Sequence, residues 1–377
     1  ALMLVTLLVL SVSPQKPLTL AEEIPALQTR ANIVNEQAKA VVKSYVPQSV
    51  HVASYSAFSA LAEYMRLRGK YFTTDEIFDL TFKEVMINGS ICCNGLPGRD
   101  INCDDAVLAD VKDPAKHTGI DKCIGLPIMR DKNLSLKLGQ IENVSFIALR
   151  VTTEFNKNYN NMRVILFQDN ATGPWQVGVN FTINYSVSAG DVMINKTENI
   201  SLRFNIEGIA DPLYAVGSQT APEDANKPYS LRINATNITN WNISNFYTQL
   251  DWRAYKHDAN ASSFLMRFYG QDKRSPCCGI ESLINPIIMP AAVKGGRERP
   301  YVDWCYYGRD NRCTTDQTGS VWNVTCVTTE TDGNRFYRFA LDTYHAAEYN
   351  ITEYLYGLGP PPACPEVPPN AFQYPYP

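Results

Sequence analysis

The sequence predicts an α+β protein. Its N-terminal helices include an apolar assembly segment, and a β-rich, disulfide-stabilised, glycosylated head of sandwich-like antiparallel sheets follows. Three observations lead to this prediction. Apolar residues recur at helical spacing up to about residue 89 and at a spacing of two further along. The ten cysteines fall into two even groups, and Asn-x-Ser/Thr sequons are numerous.

The N-terminal run is almost entirely apolar and ends before Pro14. Its large apolar side chains include those of Leu2, Leu4, Val5, Leu7, Leu8, Leu10 and Val12. About ten such side chains in water would cost on the order of 15–25 kcal/mol, so the run must be buried. It is shorter than the roughly 20 residues that cross a bilayer. Three explanations stay open: a pilin-like helix in a filament core, a strand donated to a neighbouring subunit, or the tail of a longer membrane or signal segment.

The next segment predicts helices. Thr19-x-x-Glu22 is a capping-box signature, and Pro25 either kinks that helix or restarts it. A narrow apolar stripe follows at spacings of four and three: Leu27, Ala31, Val34, Ala38, Val41 and Tyr45. This stripe packs either on the protein's own head or on other subunits, and both can hold on different faces. Together with the N-terminal run it forms the predicted assembly core.

Two further helices are expected. Pro47 is predicted to break the first pattern. The second helix then carries Tyr55, Phe58, Leu61, Ala62 and Met65 on one face and stops at Gly69. A third helix opens at Thr73-x-x-Glu76, aligns Phe78, Phe82, Val85 and Met86, and ends near Gly89. These aromatic and methionine stripes are interpreted as core.

From about residue 143 to 207 the sequence predicts strands. Val177, Val179, Phe181, Ile183 and Tyr185 alternate with polar residues, and a second alternating run follows Asp191 at Ile200, Leu202, Phe204 and Ile206. Asn180 and Asn184 then lie on the opposite, wet face. The pattern is typical of an antiparallel sandwich or meander. Further on, Asp332-Gly333 predicts a hairpin, and the Pro-rich end from 359 to 377 is expected to run extended.

The cysteines are interpreted as disulfides in an oxidising compartment, because no zinc-site spacing occurs. They are Cys92, Cys93, Cys103 and Cys123 in one group, and Cys277, Cys278, Cys305, Cys313, Cys326 and Cys364 in the other. Each group is expected to close within itself. In an adjacent pair, each sulfur is expected to reach a different strand or loop.

The sequons predict an exterior coated with N-glycans. They lie at Asn88, Asn133, Asn143, Asn170, Asn180, Asn184, Asn195, Asn199, Asn234, Asn237, Asn242, Asn260, Asn323 and Asn350. Residues 1–87 contain none. That gap fits a segment buried in a membrane or between subunits.

The sequence offers little chemistry. The four histidines are scattered, nucleophile-elbow and phosphate-loop motifs are absent, and the acidic stretch from Asp100 to Asp113 lacks calcium-loop spacing. No catalytic residue, metal site or cofactor is therefore predicted, and the protein is expected not to be an enzyme; a secreted glycosidase is the weaker alternative. The net charge of −4 and the lack of basic runs argue against nucleic acid as a partner.

The chain resembles archaeal cell-surface proteins of the type IV pilin-like kind. The resemblance rests on the apolar start followed by a sequon-rich head, and on the stretches 206–214, 262–269 and 278–283. Two features depart from the family pattern. The apolar run is interrupted at Pro14, and Val5 stands where pilins usually carry a Glu. The resemblance implies a filament or surface-anchored subunit and no reaction.

These observations predict a structural subunit of an extracellular filament at the cell surface, with a role in adhesion or surface contact. Its partners would be copies of itself in a helical polymer. The subunit would be inserted transiently in the membrane before assembly. Four regions are expected: 1–70 for assembly, 71–140 with a helix and disulfide loops, 141–250 as the glycosylated β domain, and 251–377 as a disulfide-rich β lobe. The alternative is a monomeric, membrane-anchored adhesin or receptor.

Overall fold

The computed structural model has helices and antiparallel strands in alternation along the chain, which confirms the α+β class. It describes residues 20–68, 71–92, 123–217, 232–252, 254–259, 261–270, 275, 277–284, 301–302, 323–328, 336–341, 343–352 and 355–356. The chain divides into two compact units built from interleaved segments. The first comprises Ala1–Val50, Ser135–Arg163 and Phe181–Ile200, and the second comprises His51–Leu134, Val164–Asn180 and Ser201–Pro377. The four consecutive regions expected from the sequence stay a prediction.

The helical course at the start of the described chain is unbroken. Helix α1 (Leu20–Ala40) continues through a π-helical turn (Val41–Tyr45) into α2 (Val46–Arg68). The predicted break at Pro47 is therefore wrong. Proline lacks an N–H and crowds the preceding turn. The wider turn, in which the Val46 N–H bonds to the Val41 carbonyl, lets the helix pass through this point.

Helix α3 (Asp75–Asn88) agrees with the third predicted helix except for its first residue. The Thr74 hydroxyl accepts a hydrogen bond from the Ile77 N–H at 3.2 Å, so the cap is Thr74 and not Thr73. The helix ends as predicted at Gly89, whose φ of 75° favours glycine. Strands β1 (Ser90–Cys92) and β2 (Cys123–Gly125) then pair antiparallel.

Helix α4 (Leu134–Leu149) occupies part of the stretch expected to be strand. Its Val, Phe and Ile residues prefer strands as single residues. The Ser145 hydroxyl, however, donates to the Ile141 carbonyl at 2.8 Å, and the buried Gln37 amide donates to the Ser145 hydroxyl at 2.7 Å. Tertiary contact with α1 thus outweighs the local preference, and residues 143–149 were wrongly interpreted as strand.

The long hairpin agrees with the predicted alternation. Strand β3 (Thr152–Phe155) and strand β4 (Arg163–Phe167) both pair with β5 (Gln176–Ala189), which also pairs with β6 (Val192–Asn205). Val177, Val179, Phe181, Ile183 and Tyr185 are all buried on one face. The intervening Asn180 and Asn184 point to the wet side, as the period of two predicts.

The second unit has an aromatic core that joins helices distant in sequence. The Phe58 ring lies 4.5 Å from Phe82, and the Phe78 ring lies 4.5 Å from Phe268, centroid to centroid. The sequence-based assignment of Phe58, Phe78 and Phe82 to the core is confirmed.

The remaining elements are α5 (Pro212–Gly217), α6 (Ile243–Trp252), β7 (Tyr255–His257), α7 (Phe264–Phe268), β8 (Ile280–Ile284), β9 (Tyr301–Val302), β10 (Asn323–Thr328), β11 (Phe336–Leu341), α8 (Thr343–Glu348) and β12 (Leu355–Tyr356).

The described strands form four sheets, with two to four strands in each. Strands β7, β8 and β9 form one sheet, and β11, β10 and β12 form another. The pairing of β10 with β11 confirms the hairpin predicted around Asp332-Gly333. Face-to-face packing of the sheets as a sandwich stays a prediction.

Candidate functional site

The predicted assembly stripe is split between buried and exposed residues. Val34, Ala38 and Val41 are at most 1% exposed within the first unit. The hydroxyl of Tyr185, which lies on the long hairpin, donates a hydrogen bond to the Ala38 carbonyl at 3.5 Å. These three residues therefore pack on their own chain, which is one of the two alternatives stated for the stripe; contact of the stripe with other subunits stays a prediction. Leu27 (43% exposed) and Ala31 remain accessible on α1; the run from Leu2 to Val12 lies outside the described residues.

The end of α4 presents an apolar surface that the sequence analysis missed. Val144, Phe146 and Ile147 are 62%, 54% and 75% exposed, and we call them the α4 patch. A concavity of about 380 Å³ beside it is lined by Glu142, Asn143, Phe146, Ile147 and residues 152–154. Val144 and Ile147 lie one helical turn apart, and Phe146 and Ile147 share the concavity. Exposed large apolar side chains are unfavourable in water, and clusters of them commonly mark interaction surfaces. The sequence signal was the Val-Ser-Phe-Ile-Ala-Leu run, which period-two reasoning assigned to a strand.

The sequon asparagines with described side chains lie at the surface. Asn133 and Asn184 are half-buried, and the following are exposed: Asn88, Asn143, Asn170, Asn180, Asn195, Asn199, Asn234, Asn237, Asn242 and Asn350. In the long hairpin, the Thr182 hydroxyl donates to Asn199 at 2.7 Å and the Thr197 hydroxyl donates to Asn184 at 2.6 Å. These positions are accessible to glycans, whose presence stays a prediction. Asn260 lies outside the described residues, and the side chain of Asn323 is not described.

The cysteines behave in two ways. Cys277 and Cys278 are bonded to each other, with their Cα atoms 3.7 Å apart. The expectation that each sulfur of an adjacent pair reaches a different strand is therefore wrong for this pair. Cys92 and Cys123 stand directly opposite each other in the β1–β2 ladder. Cys326 lies on β10, and Cys93, Cys103, Cys305, Cys313 and Cys364 lie outside the described residues.

A buried cluster of charged groups forms where β7, β8 and α8 meet. The Lys256 ammonium lies 3.2 Å from a carboxylate oxygen of Glu281 and 3.5 Å from one of Asp258. It also bonds to Glu348 at the end of α8. Lys256, Glu281 and Asp258 are nearly inaccessible to solvent. We call these four side chains, with His345, the Lys256 cluster.

Further groups complete the charge balance of the Lys256 cluster. His345 Nε2 lies 3.3 Å from Glu281, and the Tyr349 hydroxyl donates to Glu281 at 2.8 Å. Burial alone would raise the pKa of Glu281, but the charges of His345 and Lys256 and these hydrogen bonds hold that pKa well below its usual range. Burial likewise opposes the charged form of Lys256, yet Glu281, Glu348 and Asp258 raise its pKa. The Glu281 carboxylate and the Lys256 ammonium are thus kept in their charged forms.

Three side chains of the cluster could each offer one ligand atom to a metal ion, and these atoms lie within 4.8 Å of one another. The residues are Asp258, Glu281 and His345. The Lys256 ammonium, however, already lies in contact with both carboxylates. It supplies the positive charge that a metal ion would otherwise supply. The arrangement fits an internal ion cluster and gives Lys256 no nucleophilic character, because its amine stays protonated.

A second buried ion pair joins three segments. Arg267 Nη1 lies 2.6 Å from Asp211, whose carboxylate also accepts a hydrogen bond from the Tyr255 hydroxyl at 2.7 Å. Arg267 Nη2 donates to the carbonyl of Ile280. The stretches 206–214, 262–269 and 278–283, on which the family resemblance rested, thus meet at one buried pair. Their residues connect three segments of the second unit.

An open cleft lies above the Lys256 cluster. It has a volume of about 380 Å³, and its walls include Trp175, Trp241, Thr236 and His257. Lys256 and Glu348 form part of its floor. We call it the tryptophan cleft. Sequence reasoning missed it because Trp175 and Trp241 are distant in the chain from Lys256 and Glu348, and no local pattern connects them.

Comparison with protein-family models, curated proteins and solved structures finds no match. Among the described helices, none combines the length and apolar character needed to cross a membrane.

Proposed function

We propose that the chain is a structural subunit of an extracellular filament, assembled through its apolar N-terminal run and the surface of its first unit. The observation that carries this proposal is the α4 patch, with Val144, Phe146 and Ile147 more than half exposed. Leu27 and Ile33 of α1 add further exposed apolar side chains to the same unit. A surface of this kind supports contact between copies.

The energetics favour repeated weak contacts. Burying the exposed parts of the three patch side chains stabilises a contact by about 3–5 kcal/mol per subunit. That amount is comparable with the freedom lost when two molecules associate. A single contact would therefore be weak, while a polymer in which each subunit is held by several neighbours would be stable.

The chemistry of the patch indicates its occupant. None of the three patch side chains is charged. Two carboxylates, Glu142 and Glu154, line the concavity beside the patch, and Glu142 is bonded to Lys157 at 2.5 Å. An uncharged apolar segment would therefore fit it better than a charged one. The run from Leu2 to Val12 has this character, and the cost of exposing it requires a partner surface. We assign the patch to the apolar run of a neighbouring copy.

Asn143 lies next to the patch and is an exposed sequon residue. A glycan there would obstruct a neighbouring copy, because sugars are bulky and hydrated. The proposal therefore requires Asn143 to be unmodified in assembled material. Glycopeptide mass spectrometry of filaments measures this directly, and full occupancy at Asn143 would contradict the assigned role of the patch.

Assembly itself is tested with the full chain by cryo-electron microscopy and sedimentation velocity. Wild-type protein is expected to form helical polymers, and Phe146→Ser/Ile147→Ser is expected to remain monomeric. Met193→Ser serves as the matched control, because Met193 is 62% exposed in the same unit but outside the patch.

Polymers that form equally well from the double variant would exclude the patch from the interface. Monomeric wild-type protein released only from membranes would overturn the filament proposal. The anchored adhesin would then be the better description.

A further inference from the structure

The tryptophan cleft combines flat aromatic surfaces with hydrogen-bonding groups. Two indole side chains, Trp175 and Trp241, are half-exposed in its walls. Thr236, His257 and Glu348 bring a hydroxyl, an imidazole and a carboxylate to the same space. Specific small-ligand sites typically have this mixture of apolar surface and a few placed polar groups.

The walls are held in place before any ligand binds. The Trp241 ring packs edge-on against buried Tyr349 at a centroid distance of 4.8 Å, and its carbonyl accepts a hydrogen bond from Asn350 at 3.2 Å. The Trp175 carbonyl accepts from the Ile206 N–H at 3.0 Å. A rigid aromatic surface costs little ordering entropy on binding.

The charges of the cleft indicate a ligand without formal charge. Of its lining residues, Lys256 and Glu348 carry opposite charges and are bonded to each other. Behind them, Asp258 and Glu281 are balanced by Lys256 and His345. An ion would have to separate charges that are already paired, and that separation is costly in a partly buried site.

A saccharide satisfies these requirements. One face of a sugar ring is a plane of C–H bonds that packs on the electron-rich face of an indole. The hydroxyls at its edge can donate to carboxylate or imidazole groups and accept from a hydroxyl. Sugars carry no charge unless they are substituted with acidic or amino groups.

The chain itself places sugar attachment points at the cleft. Asn237 lies between Thr236 and Ile238, both of which line the space. Asn242 follows Trp241 directly, and both asparagines are exposed sequon residues. A glycan on either would start at the rim and be present there at high effective concentration.

We propose that the tryptophan cleft is a binding site for neutral saccharides, with Trp241 and Trp175 as stacking surfaces. The site belongs entirely to the second unit and is independent of the filament proposal. The glycan at Asn237 or Asn242 is one source of ligand, and glycans of other molecules are the second.

The test uses the full chain in which Thr239→Ala and Ser244→Ala remove both sequons. These changes leave Asn242 in place, which is useful because its side chain accepts from the Asn245 N–H at 2.9 Å and caps α6. Cellobiose, mannobiose and N,N′-diacetylchitobiose are titrated by saturation-transfer NMR and calorimetry. At least one is expected to bind.

The binding must depend on the cleft. Trp241→Ala and Trp175→Ala are each expected to weaken it at least tenfold. Trp252→Ala is the matched control, because Trp252 is 65% exposed and lies outside the cleft. Trp241→Phe keeps an aromatic face and should retain most of the affinity, which separates loss of stacking from loss of folding.

Disaccharide binding by the wild-type protein identifies the source of the saccharide. Binding at least tenfold weaker than in the Thr239→Ala/Ser244→Ala variant would show that the glycan of Asn237 or Asn242 occupies the cleft. Equal binding would show that neither of these two glycans occupies the cleft and would assign it to glycans from elsewhere. The proposal is overturned if none of the three disaccharides binds the Thr239→Ala/Ser244→Ala variant, or if Trp241→Ala binds as well as Trp252→Ala.

Discussion

Lys256 is the cation that three carboxylates of the second unit share. Replacing it with Met keeps the volume but removes the ammonium that faces Asp258 and one of the two positive groups that face Glu281. Breaking a buried pair from one side costs about 3–5 kcal/mol of unfolding free energy. We expect a loss of that size in urea unfolding of Lys256→Met, because both carboxylates are buried.

Lys39→Met is the matched control for that experiment. Lys39 bonds to Glu36 at 2.6 Å, but both side chains are about half or more exposed. Exposed pairs of this kind contribute at most about 1 kcal/mol. Equal losses in the two variants would show that burial of the Lys256 cluster does not matter.

Glu281 makes the folding stability of the chain depend on pH. Its pKa in the folded chain lies below the ordinary value of 4.5. A group with a lowered folded pKa contributes its full stability above the unfolded pKa and loses it as the pH falls through the folded pKa. We therefore expect the stability difference between wild type and Glu281→Gln to be largest at neutral pH and to narrow below about pH 4.5. Urea unfolding across pH 3–7 measures this, and a difference that grows with acid would contradict it.

At the scale of elements, two neighbouring threonines test which residue caps the start of α3. Thr74→Ala removes the acceptor for the Ile77 N–H and should cost about 1 kcal/mol. Thr73→Ala, one residue earlier, should be nearly neutral because Thr73 is exposed and is not the cap. Thermal unfolding compares the two, and a larger effect at Thr73 would show that the helix starts there.

Local periodicity was sufficient for several elements and failed where distant contacts decide. The spacing of Phe78 and Phe82 predicted α3, and the alternation around Phe181 predicted β5, because each pattern lies within one element. Residues 143–149 have strand-forming side chains, yet Ser145 is held by Gln37 on α1. The continuation through Pro47 depends on a single wide turn that no local pattern indicates.

The candidate sites were hidden for the same reason. Lys256, Glu281 and His345 lie on three separate elements, so no spacing in the sequence connects them. The exposed state of Phe146 and Ile147 also depends on which side of α4 packs inward. Sequon positions, in contrast, could be predicted to be at the surface because a polar residue that alternates with a buried strand face must point outward.

At the scale of the whole molecule, the cysteines should contribute very unequally to stability. Cys92 and Cys123 face each other across antiparallel strands, a position about 4.5–5.5 Å apart between Cα atoms and suited to a disulfide. Such a bond would close a loop of about 30 residues and stabilise the folded state by about 3–4 kcal/mol. Cys277-Cys278 closes only a tiny ring and should contribute about 1 kcal/mol by the same argument.

Disulfide mapping by mass spectrometry tests the first pairing. Unfolding of Cys92→Ala/Cys123→Ala and Cys277→Ala/Cys278→Ala then compares their energies. A bond from Cys92 to any other cysteine would contradict the expectation from the strand register. A larger loss in the Cys277 and Cys278 double variant would show that the buried sulfurs contribute mainly through packing.

The interleaving of the two units sets an order for biosynthesis. The first unit needs segments up to Ile200, so its helices must wait for the hairpin to be translated. At about 5–20 residues per second, the roughly 160 residues from the end of α1 to Ile200 take about 8–32 seconds to translate. During this interval Ala38 lacks its contact with Tyr185, and Gln37 lacks Ser145 until that residue has been made. This side of α1 therefore stays uncovered in the nascent chain until the hairpin has been translated.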